Sequence, residues 1–273
     1  MSKPVIGFIG VGLMGAGMAK NIVTKGYPLV IMGHRNREPV ERLIGLGAKE
    51  VRSAKSLASE CDIIHLCVTG SPQVEALMNG PEGILAGGKK GLIIIDCTTS
   101  NPVSTHQMAE LAQQHGMHFI DAPLSRTPVE AEAGTLDTMV GASKEQFEKV
   151  KPVLECWAGN IVHLGPVGLG HTMKLINNFL CGAQAAALAE AGAWIKRSGL
   201  NAATALPVLL NGAPGSPLVK TLAARHGAAW KTVMSGVPDG LAALESMKKT
   251  WAESGKGDLY ASAWVWGCIL KDG

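Results

Sequence analysis

The stretch that decides the fold lies near the N-terminus and runs Val5-Ile6-Gly7-Phe8-Ile9-Gly10-Val11-Gly12-Leu13-Met14-Gly15. Its apolar beginning predicts a buried strand, and three glycines with the spacing G-x-G-x-x-G come directly after it. Gly10 permits a tight turn, Gly12 lets a pyrophosphate approach the backbone, and Gly15 lets helix and strand pack closely. A helix that begins after such a turn presents free N–H groups and a partial positive charge to phosphates. The order strand, turn, helix therefore predicts a dinucleotide site made by Gly10, Val11, Gly12, Leu13 and Met14.

The residues after the second predicted strand bear on the choice between NAD(H) and NADP(H). Proteins of this kind that prefer NAD(H) place an acid there, about 20 residues after the turn, to accept from the ribose hydroxyls. This chain has Met32-Gly33-His34-Arg35-Asn36-Arg37, with no acid before Glu38. The guanidinium groups of Arg35 and Arg37 suit a 2′-phosphate, with a solvated basic loop as the alternative. We predict NADP(H) rather than NAD(H), with His34, Arg35 and Asn36 at the ribose.

Short apolar runs alternate with amphipathic segments over the first 165 residues. Continuous apolar runs such as 92–95 are typical of strands buried on both faces. The predicted strands are 5–9, 29–32, 63–68, 92–96, 118–121, 138–140 and 161–164. The predicted helices are 15–25, 38–46, 102–115 and 144–156. This alternation predicts an α/β fold whose residues 1–165 form a Rossmann-like, doubly wound domain.

The pattern changes at the Gly- and Pro-rich residues 165–170. Residues 173–197 then form an almost unbroken helical pattern that is too long for an ordinary crossover helix. The long helix therefore begins either a second, all-helical domain or a spine between domains. We predict the former, with residues 166–273 as an all-helical C-terminal domain.

Composition excludes several classes of protein. The formal charge of +3 is too small to indicate nucleic-acid binding. Six scattered cysteines, with no C-x-x-C pair, predict no metal site and a reducing compartment. The longest apolar stretch, 175–195, carries polar residues that a lipid-facing helix rarely tolerates, and the N-terminus begins with strand residues rather than a signal peptide. We expect a cytoplasmic protein with no membrane and no nucleic-acid partner.

Two groups of residues are candidates for chemistry. Ser125, Arg126 and Thr127 come after a predicted strand and supply consecutive donors for a small anionic substrate, although an ordinary solvated turn would look the same. Lys174 and Asn178 are four residues apart on one face of the long helix. An ammonium in an otherwise apolar pattern suggests a proton donor whose pKa is lowered by burial, or else a lysine that extends from a helix end to water.

Together these residues resemble the β-hydroxyacid dehydrogenase family. The similar segments are 9–15 with Met18, Ala19 and Asn21; 96–99 with Pro102; 121–127 with 134–136; and 168–178. The resemblance covers about residues 4–225. It implies a dinucleotide-binding domain preceding a helical domain, and homodimers or homotetramers.

By position, the resemblance also assigns roles. It implies that Lys174 is the catalytic lysine and Asn178 the asparagine that holds substrate. Ser125, Arg126 and Thr127 would form the loop for the substrate anion. The loops implied to lie near cofactor or substrate contain Val68 and Thr69, then Thr98 and Thr99.

Two departures from the family pattern stand out. Most members have Ser-Gly-Gly where this chain has Ser125-Arg126-Thr127, and the Arg-Thr pair resembles the sulfolactaldehyde reductase branch. An added guanidinium favours a sulfonate or a second carboxylate on the substrate. In the tail, Lys249 would match a family lysine that contacts substrate, but the residues after it do not resemble the family. Whether the tail after about residue 228 completes the site is left open.

The expected function is NADP(H)-dependent interconversion of a small β-hydroxy acid and its semialdehyde. The substrate pair would be of the 3-hydroxyisobutyrate, tartronate semialdehyde or sulfolactaldehyde type, with Lys174 as general acid and base. Two alternatives stay open at this point: an imine reductase of the same architecture, and an NADP-binding module with impaired catalysis.

Overall fold

The computed structural model describes residues 3–201 and 204–205. Within them, the strands are β1 (Ile6–Ile9), β2 (Leu29–Met32), β3 (Lys49–Val51), β4 (Ile63–Leu66), β5 (Ile93–Asp96), β6 (His118–Asp121), β7 (Leu124–Ser125), β8 (Leu136–Gly141) and β9 (Ala158–Gly165). The helices are α1 (Gly15–Thr24), α2 (Glu38–Gly45), α3 (Ala54–Glu60), α4 (Ser71–Met78), α5 (Ile84–Gly87), α6 (Pro102–Gln114), α7 (Pro128–Ala133), α8 (Lys144–Leu154) and α9 (Leu169–Arg197). The chain divides into two units, Met1–Ile176 and Asn177–Gly273. The predicted helical domain beyond α9 lies almost entirely outside the described residues.

The sheet has the order β3-β2-β1-β4-β5-β6-β8-β7, with β9 paired to β8. Strands β1 to β6 run parallel, and β8 pairs antiparallel with both β6 and β7. The Rossmann-like, doubly wound sheet that the sequence predicts is confirmed. Its order reverses between β1 and β4, and ligands of such sheets bind outside the carboxyl ends of the strands at that reversal.

Two hydrophobic clusters stabilise the sheet, one on each face. Phe8, Met18 and Trp157 belong to the first, and Leu57, Met78 and Phe119 belong to the second. Residues of β1 alternate between the two clusters, because successive side chains of a strand point to opposite faces. Burial on both faces explains why the central strands are continuous apolar runs.

The sequence does not predict two of the short strands, β3 and β7. β3 is only Lys49-Glu50-Val51, two charged residues out of three at the edge of the sheet. β7 contains Leu124 and Ser125, which the sequence places in a loop, and it forms only because β8 lies antiparallel beside it. Neither strand has the apolar run or alternation from which strands are predicted.

A buried histidine in β4 lies away from the strand ends. The His65 ring is fully buried and stacked on Phe8, with ring centroids 5.6 Å apart. The indole Nε1 of Trp157 donates to His65 Nε2 at 3.4 Å, so the ring proton is on Nδ1, which has no partner within the described residues. Burial lowers the pKa of His65 to about 3.

This histidine predicts a loss of stability in mild acid. The unfolded chain protonates His65 near pH ~6.5 and the folded chain only near the lower pKa, so the free energy of unfolding falls as pH drops between these values. We expect the free energy of unfolding to fall by about 2 kcal/mol between about pH 6.5 and pH 5 because of this histidine. Urea unfolding of wild type and His65→Gln across this range checks it, because the variant should lose that part of the slope. Parallel curves for the two proteins would contradict the prediction.

Candidate active site

The glycine turn has the geometry that a dinucleotide needs. Gly10 adopts φ 98°, and a methyl group there would overlap the carbonyl oxygen of Cys67. A methyl group at Gly15 would overlap the Gly10 carbonyl and lie 2.8 Å from the ring of Phe8. At Gly12, by contrast, a methyl group would meet nothing within 4 Å. Gly10 and Gly15 therefore serve the close packing of the turn, whereas Gly12 leaves open space above the backbone.

The N-terminus of α1 faces this open space without a competing group. Its N-cap residue, Met14, makes no side-chain capping bond, and the first turn contains no acid. Beside it, Val11 is buried in the core and Leu13 is 85% exposed. Free N–H groups at the start of a helix whose own first turn carries no acid suit a pyrophosphate. These residues fit a nicotinamide dinucleotide.

The predicted ribose loop contains an ion pair that the sequence does not reveal. Arg37 donates to Glu50 through both terminal nitrogens, Nη1 to Oε1 at 2.6 Å and Nη2 to Oε2 at 2.9 Å. A side chain at Gly33 would collide with this Glu50 carboxylate, so an acid does lie at the end of β2, contributed by β3. His34 and Arg35 are exposed, and within the described residues neither forms a side-chain hydrogen bond or ion pair. Asn36 accepts from the backbone of its own loop at 3.3 Å.

The loops after β4 and β5 are joined directly. The Val68 backbone N–H donates to Thr98 Oγ1 at 3.1 Å. Thr98 N–H in turn donates to Asp96 Oδ1 at 2.9 Å, and the Ser100 hydroxyl donates to Oδ2 of the same carboxylate at 2.9 Å. Burial raises the pKa of Asp96 to about 6. The neighbouring predicted residues are an exposed Thr69 and a half-buried Thr99.

Asp121, at the end of β6, holds the beginning of α9. Its Oδ1 accepts from the Gly168 N–H and its Oδ2 from the His171 N–H, both at 2.7 Å. The carboxylate fits because Gly141 and Gly170 have no side chain, since a methyl group at either position would collide with it. Burial raises the pKa of Asp121, while the donated N–H groups and the charge that His171 carries when it is protonated lower that pKa. This tertiary contact lets α9 begin at Leu169, four residues before the predicted start at residue 173.

The first turn of α9 carries a buried imidazole next to that carboxylate. The His171 ring is fully buried, with Nε2 2.8 Å from the Thr98 carbonyl oxygen and Nδ1 2.7 Å from Thr105 Oγ1. Desolvation lowers the pKa of His171, and the negative charge of Asp121 opposes that shift. The ring thus lies between the loop after β5 and helix α6.

Lys174 comes one turn later and is half-buried. Asn178 lies four residues further along the same helix, also half-buried, and belongs to the second unit. Consecutive contacts link the glycine turn to this helix: Gly10 packs on Cys67, Val68 binds Thr98, and Thr98 binds His171. Lys249, predicted to contact substrate, lies outside the described residues.

The predicted anion loop is more ordered than an open turn. Ser125 belongs to β7. Arg126 adopts φ 85°, the left-handed region that favours glycine, and its Nε donates to Asp137 Oδ2 at 2.8 Å. Thr127 is the N-cap of α7 and forms a capping box with Glu130. Of the three predicted anion donors, the Arg126 side chain is therefore paired and the Thr127 hydroxyl caps a helix.

Helix α7 connects this loop to the cofactor turn by packing on α1. A methyl group at Gly17 would lie 2.6 Å from the backbone of Ala131, so the two helices touch through their main chains. The Asn21 amide donates to the Ala131 carbonyl at 3.0 Å and the Glu132 carbonyl at 3.2 Å. The spacing of the anion loop from α1 is thereby set by backbone contact.

Asp121, His171 and Glu50 are residues of the candidate site that sequence reasoning did not single out. Asp121 belongs to the segment 121–127 that resembles the family, and it is an acid at the end of a predicted strand. His171 looks like one more polar residue in a Gly-rich turn, and Glu50 lies in an unpredicted strand. Only their long-range contacts reveal them.

Two family models match the chain. One, described as the NAD binding domain of 6-phosphogluconate dehydrogenase, matches residues 5–165. The other, described as NAD-binding of NADP-dependent 3-hydroxyisobutyrate dehydrogenase, matches residues 168–237. The chain belongs to the β-hydroxyacid dehydrogenase family. Membership confirms the resemblance that the motifs indicate.

Relatives of this β-hydroxyacid dehydrogenase family member act on small hydroxy acids, as their names state. This chain is 40% identical over 192 residues to 2-(hydroxymethyl)glutarate dehydrogenase of Eubacterium barkeri, and the match covers 70% of this chain and 64% of that protein. It is 32% identical over 216 residues to 2-hydroxy-3-oxopropionate reductase of Escherichia coli K12, covering 79% of this chain and 73% of that protein. The chain thus spans somewhat less than two thirds of the length of the first relative.

A solved structure of the family has the same fold. Mycobacterium tuberculosis 3-hydroxyisobutyrate dehydrogenase, described with L-serine, superposes with a TM-score of 0.74 at 26% identity. The match covers 98% of this chain and 94% of that chain. In the part of this family member that the structure describes, no helix is long and apolar enough to cross a membrane.

Proposed function

We propose that the protein is an NADP(H)-dependent β-hydroxyacid dehydrogenase that interconverts a small anionic β-hydroxy acid and its semialdehyde. The observation that carries this proposal is the series of contacts from the glycine turn through Val68 and Thr98 to His171, one turn before Lys174. It supports the proposal because the lysine-bearing helix begins beside the carboxyl ends of the strands, and dinucleotides bind outside those ends in sheets of this kind.

The residues act by position and charge. A bound nicotinamide dinucleotide supplies or accepts the hydride. In the reductive direction, the Lys174 ammonium donates a proton to the carbonyl oxygen of the semialdehyde, and in the oxidative direction the amine takes the hydroxyl proton back. Asn178, on the same helix, orients the substrate oxygen. The loop Ser125 to Thr127 holds the anionic end away from the reacting carbon.

NADP(H) is favoured because the loop after β2 presents an uncommitted guanidinium. Arg35 is exposed and makes no side-chain hydrogen bond or ion pair within the described residues, so it is free to meet a 2′-phosphate. Arg37 is held by Glu50, and its charge is thereby balanced. The proposal therefore assigns the 2′-phosphate to Arg35.

Kinetic assays of the purified protein test the function. Oxidation of NADPH and NADH is monitored with succinic, tartronate and methylmalonate semialdehydes, sulfolactaldehyde and 2-formylglutarate, with cyclic imines as controls. We expect turnover with at least one semialdehyde and a preference for NADPH. Turnover of cyclic imines alone would point to an imine reductase. NADPH binding without turnover of any compound would point to a module without catalysis.

Arg126→Gly tests the anion loop. Because φ 85° costs a residue with a side chain about 1 kcal/mol and the exposed Asp137 pair contributes at most about as much, the folding stability should hardly change. We expect KM to rise about tenfold for sulfonated or dianionic semialdehydes and about twofold or less for the others, in steady-state assays. Asp137→Asn is the matched control, since it breaks the pair but keeps the guanidinium. A uniform rise in KM for all substrates, or the same rise in the control, would refute the role of Arg126.

A further inference from the structure

We propose that His171 is a positioning residue for Lys174: its buried ring ties the loop after β5 to the first turn of α9 and so sets where the lysine meets the substrate. The inference rests on the proposed function in taking Lys174 as the proton donor. His171, Lys174 and the residues that contact the His171 ring all lie within the unit Met1–Ile176.

The hydrogen bonds of the ring define its tautomer. Nε2 lies 2.8 Å from the Thr98 carbonyl oxygen, which has no hydrogen to give, so Nε2 is the donor. Because burial lowers the pKa of His171, the ring is neutral near pH ~7 and Nδ1 is an acceptor. The Thr105 hydroxyl, 2.7 Å away, therefore donates to Nδ1 rather than to the Asn101 carbonyl, which is 3.1 Å away. Both ring nitrogens are thus paired, and the ring is held in one orientation.

The main chain of the same residue is held from the other side. Its N–H donates to Asp121 Oδ2 at 2.7 Å, and the preceding Gly170 packs against the Met139 carbonyl with no room for a side chain. Two buried carboxylates also face the ring, Asp96 at 3.8 Å from Nε2 and Asp121 at 3.9 Å from Nδ1. The first turn of α9 is therefore connected to β6 by its backbone and to the loop after β5 by its side chain.

The hydrogen bonds of the His171 ring to Thr98 and Thr105 form a bridge between the loop after β5 and the helix that carries Lys174. On one side of the ring, Thr98 also binds Val68, in the loop beside the glycine turn. On the other side, Lys174 lies three residues along the helix and so on the same face as His171. Removing the ring leaves the Thr98 carbonyl and a turn of helix free to shift. A displacement of about 1 Å at a reacting group can lower a rate by about 10²-fold.

The test compares four full-length variants with wild type. We expect His171→Ala to lower the single-turnover rate of NADPH oxidation about 10- to 100-fold, with the Kd for NADPH within about threefold of wild type. His171→Gln keeps a donor for the Thr98 carbonyl and should recover most of the rate. Thr105→Val removes the partner of Nδ1 and should lower the rate about 3- to 10-fold. His65→Gln, an equally buried histidine in β4, should lower stability and leave the rate per folded molecule unchanged.

Hydrogen exchange gives a readout that does not depend on turnover. In His171→Ala, backbone amides in residues 97–101 and 168–175 should exchange faster together, whereas in His65→Gln they should not. Unchanged exchange in both segments, or a rate per folded molecule within about threefold of wild type, would overturn the proposal. If His171→Ala does not fold, an unchanged rate and unchanged exchange in Thr105→Val overturn it instead. If wild type reduces no semialdehyde, the proposed function fails alone, and exchange still decides whether the bridge exists.

Discussion

Replacing Lys174 by alanine should lower kcat/KM for the preferred semialdehyde by about 10²- to 10⁴-fold, the usual contribution of a general acid. The loss should appear in kcat, because the proton is donated in the transition state and not on binding. Steady-state kinetics with the Kd for NADPH measured by fluorescence checks both parts. The Kd should stay within about threefold, since the glycine turn and ribose loop belong to other segments of the chain.

Two further variants make this result specific. Lys174→Arg keeps the positive charge but has a guanidinium that does not give up its proton, so it should be nearly as slow as alanine. Lys196→Ala removes an exposed lysine from the last turn of the same helix and should leave kcat unchanged. Near wild-type turnover in Lys174→Ala, with intact NADPH binding, would remove the lysine from the mechanism.

Alanine at Gly12 should separate cofactor binding from folding. A methyl group there meets no protein atom within 4 Å, so the free energy of unfolding should change by less than about 0.5 kcal/mol. The same methyl group occupies the space left for the pyrophosphate. Losing one or two hydrogen bonds to a charged phosphate, at about 1.5–3 kcal/mol each, raises the Kd for NADPH about 10- to 10⁴-fold. Urea unfolding and fluorescence titration measure the two quantities.

Gly10→Ala should do the reverse and destabilise the fold itself. Gly10 combines φ 98° with the overlap on the Cys67 carbonyl, and we expect a loss of about 3 kcal/mol. Gly47→Ala is the matched control, because Gly47 has φ 100° and open space around it. It should show only the backbone cost of about 1 kcal/mol. Equal losses of folding stability in Gly10→Ala and Gly47→Ala would mean that the contact with Cys67 is unimportant.

For the Gly12→Ala variant, unchanged NADPH binding would refute the phosphate site.

The geometry of the glycine turn could be predicted from the sequence because each of its requirements is local. One glycine must adopt positive φ, one must leave space, and one must let α1 pack on β1, and all three lie within six residues of each other. The central strands could also be predicted from the sequence, since a strand buried on both faces is a continuous apolar run. The strand β3 was not, because an edge strand of three residues carries no such run.

The sequence by itself therefore determined the glycine turn, the doubly wound sheet and the family, because each strand, helix, turn and family motif is recognised from residues close together in the chain. Tertiary structure alone decided which polar groups meet. It paired Arg37 with Glu50, 13 residues away, so that of the two predicted phosphate-binding arginines only Arg35 has no side-chain partner among the described residues. It also brought His171 to Thr98, across 73 residues, and Asp121 to the first turn of α9. Such contacts depend on the carboxyl ends of parallel strands converging at one edge of the sheet, and no short-range spacing encodes that convergence.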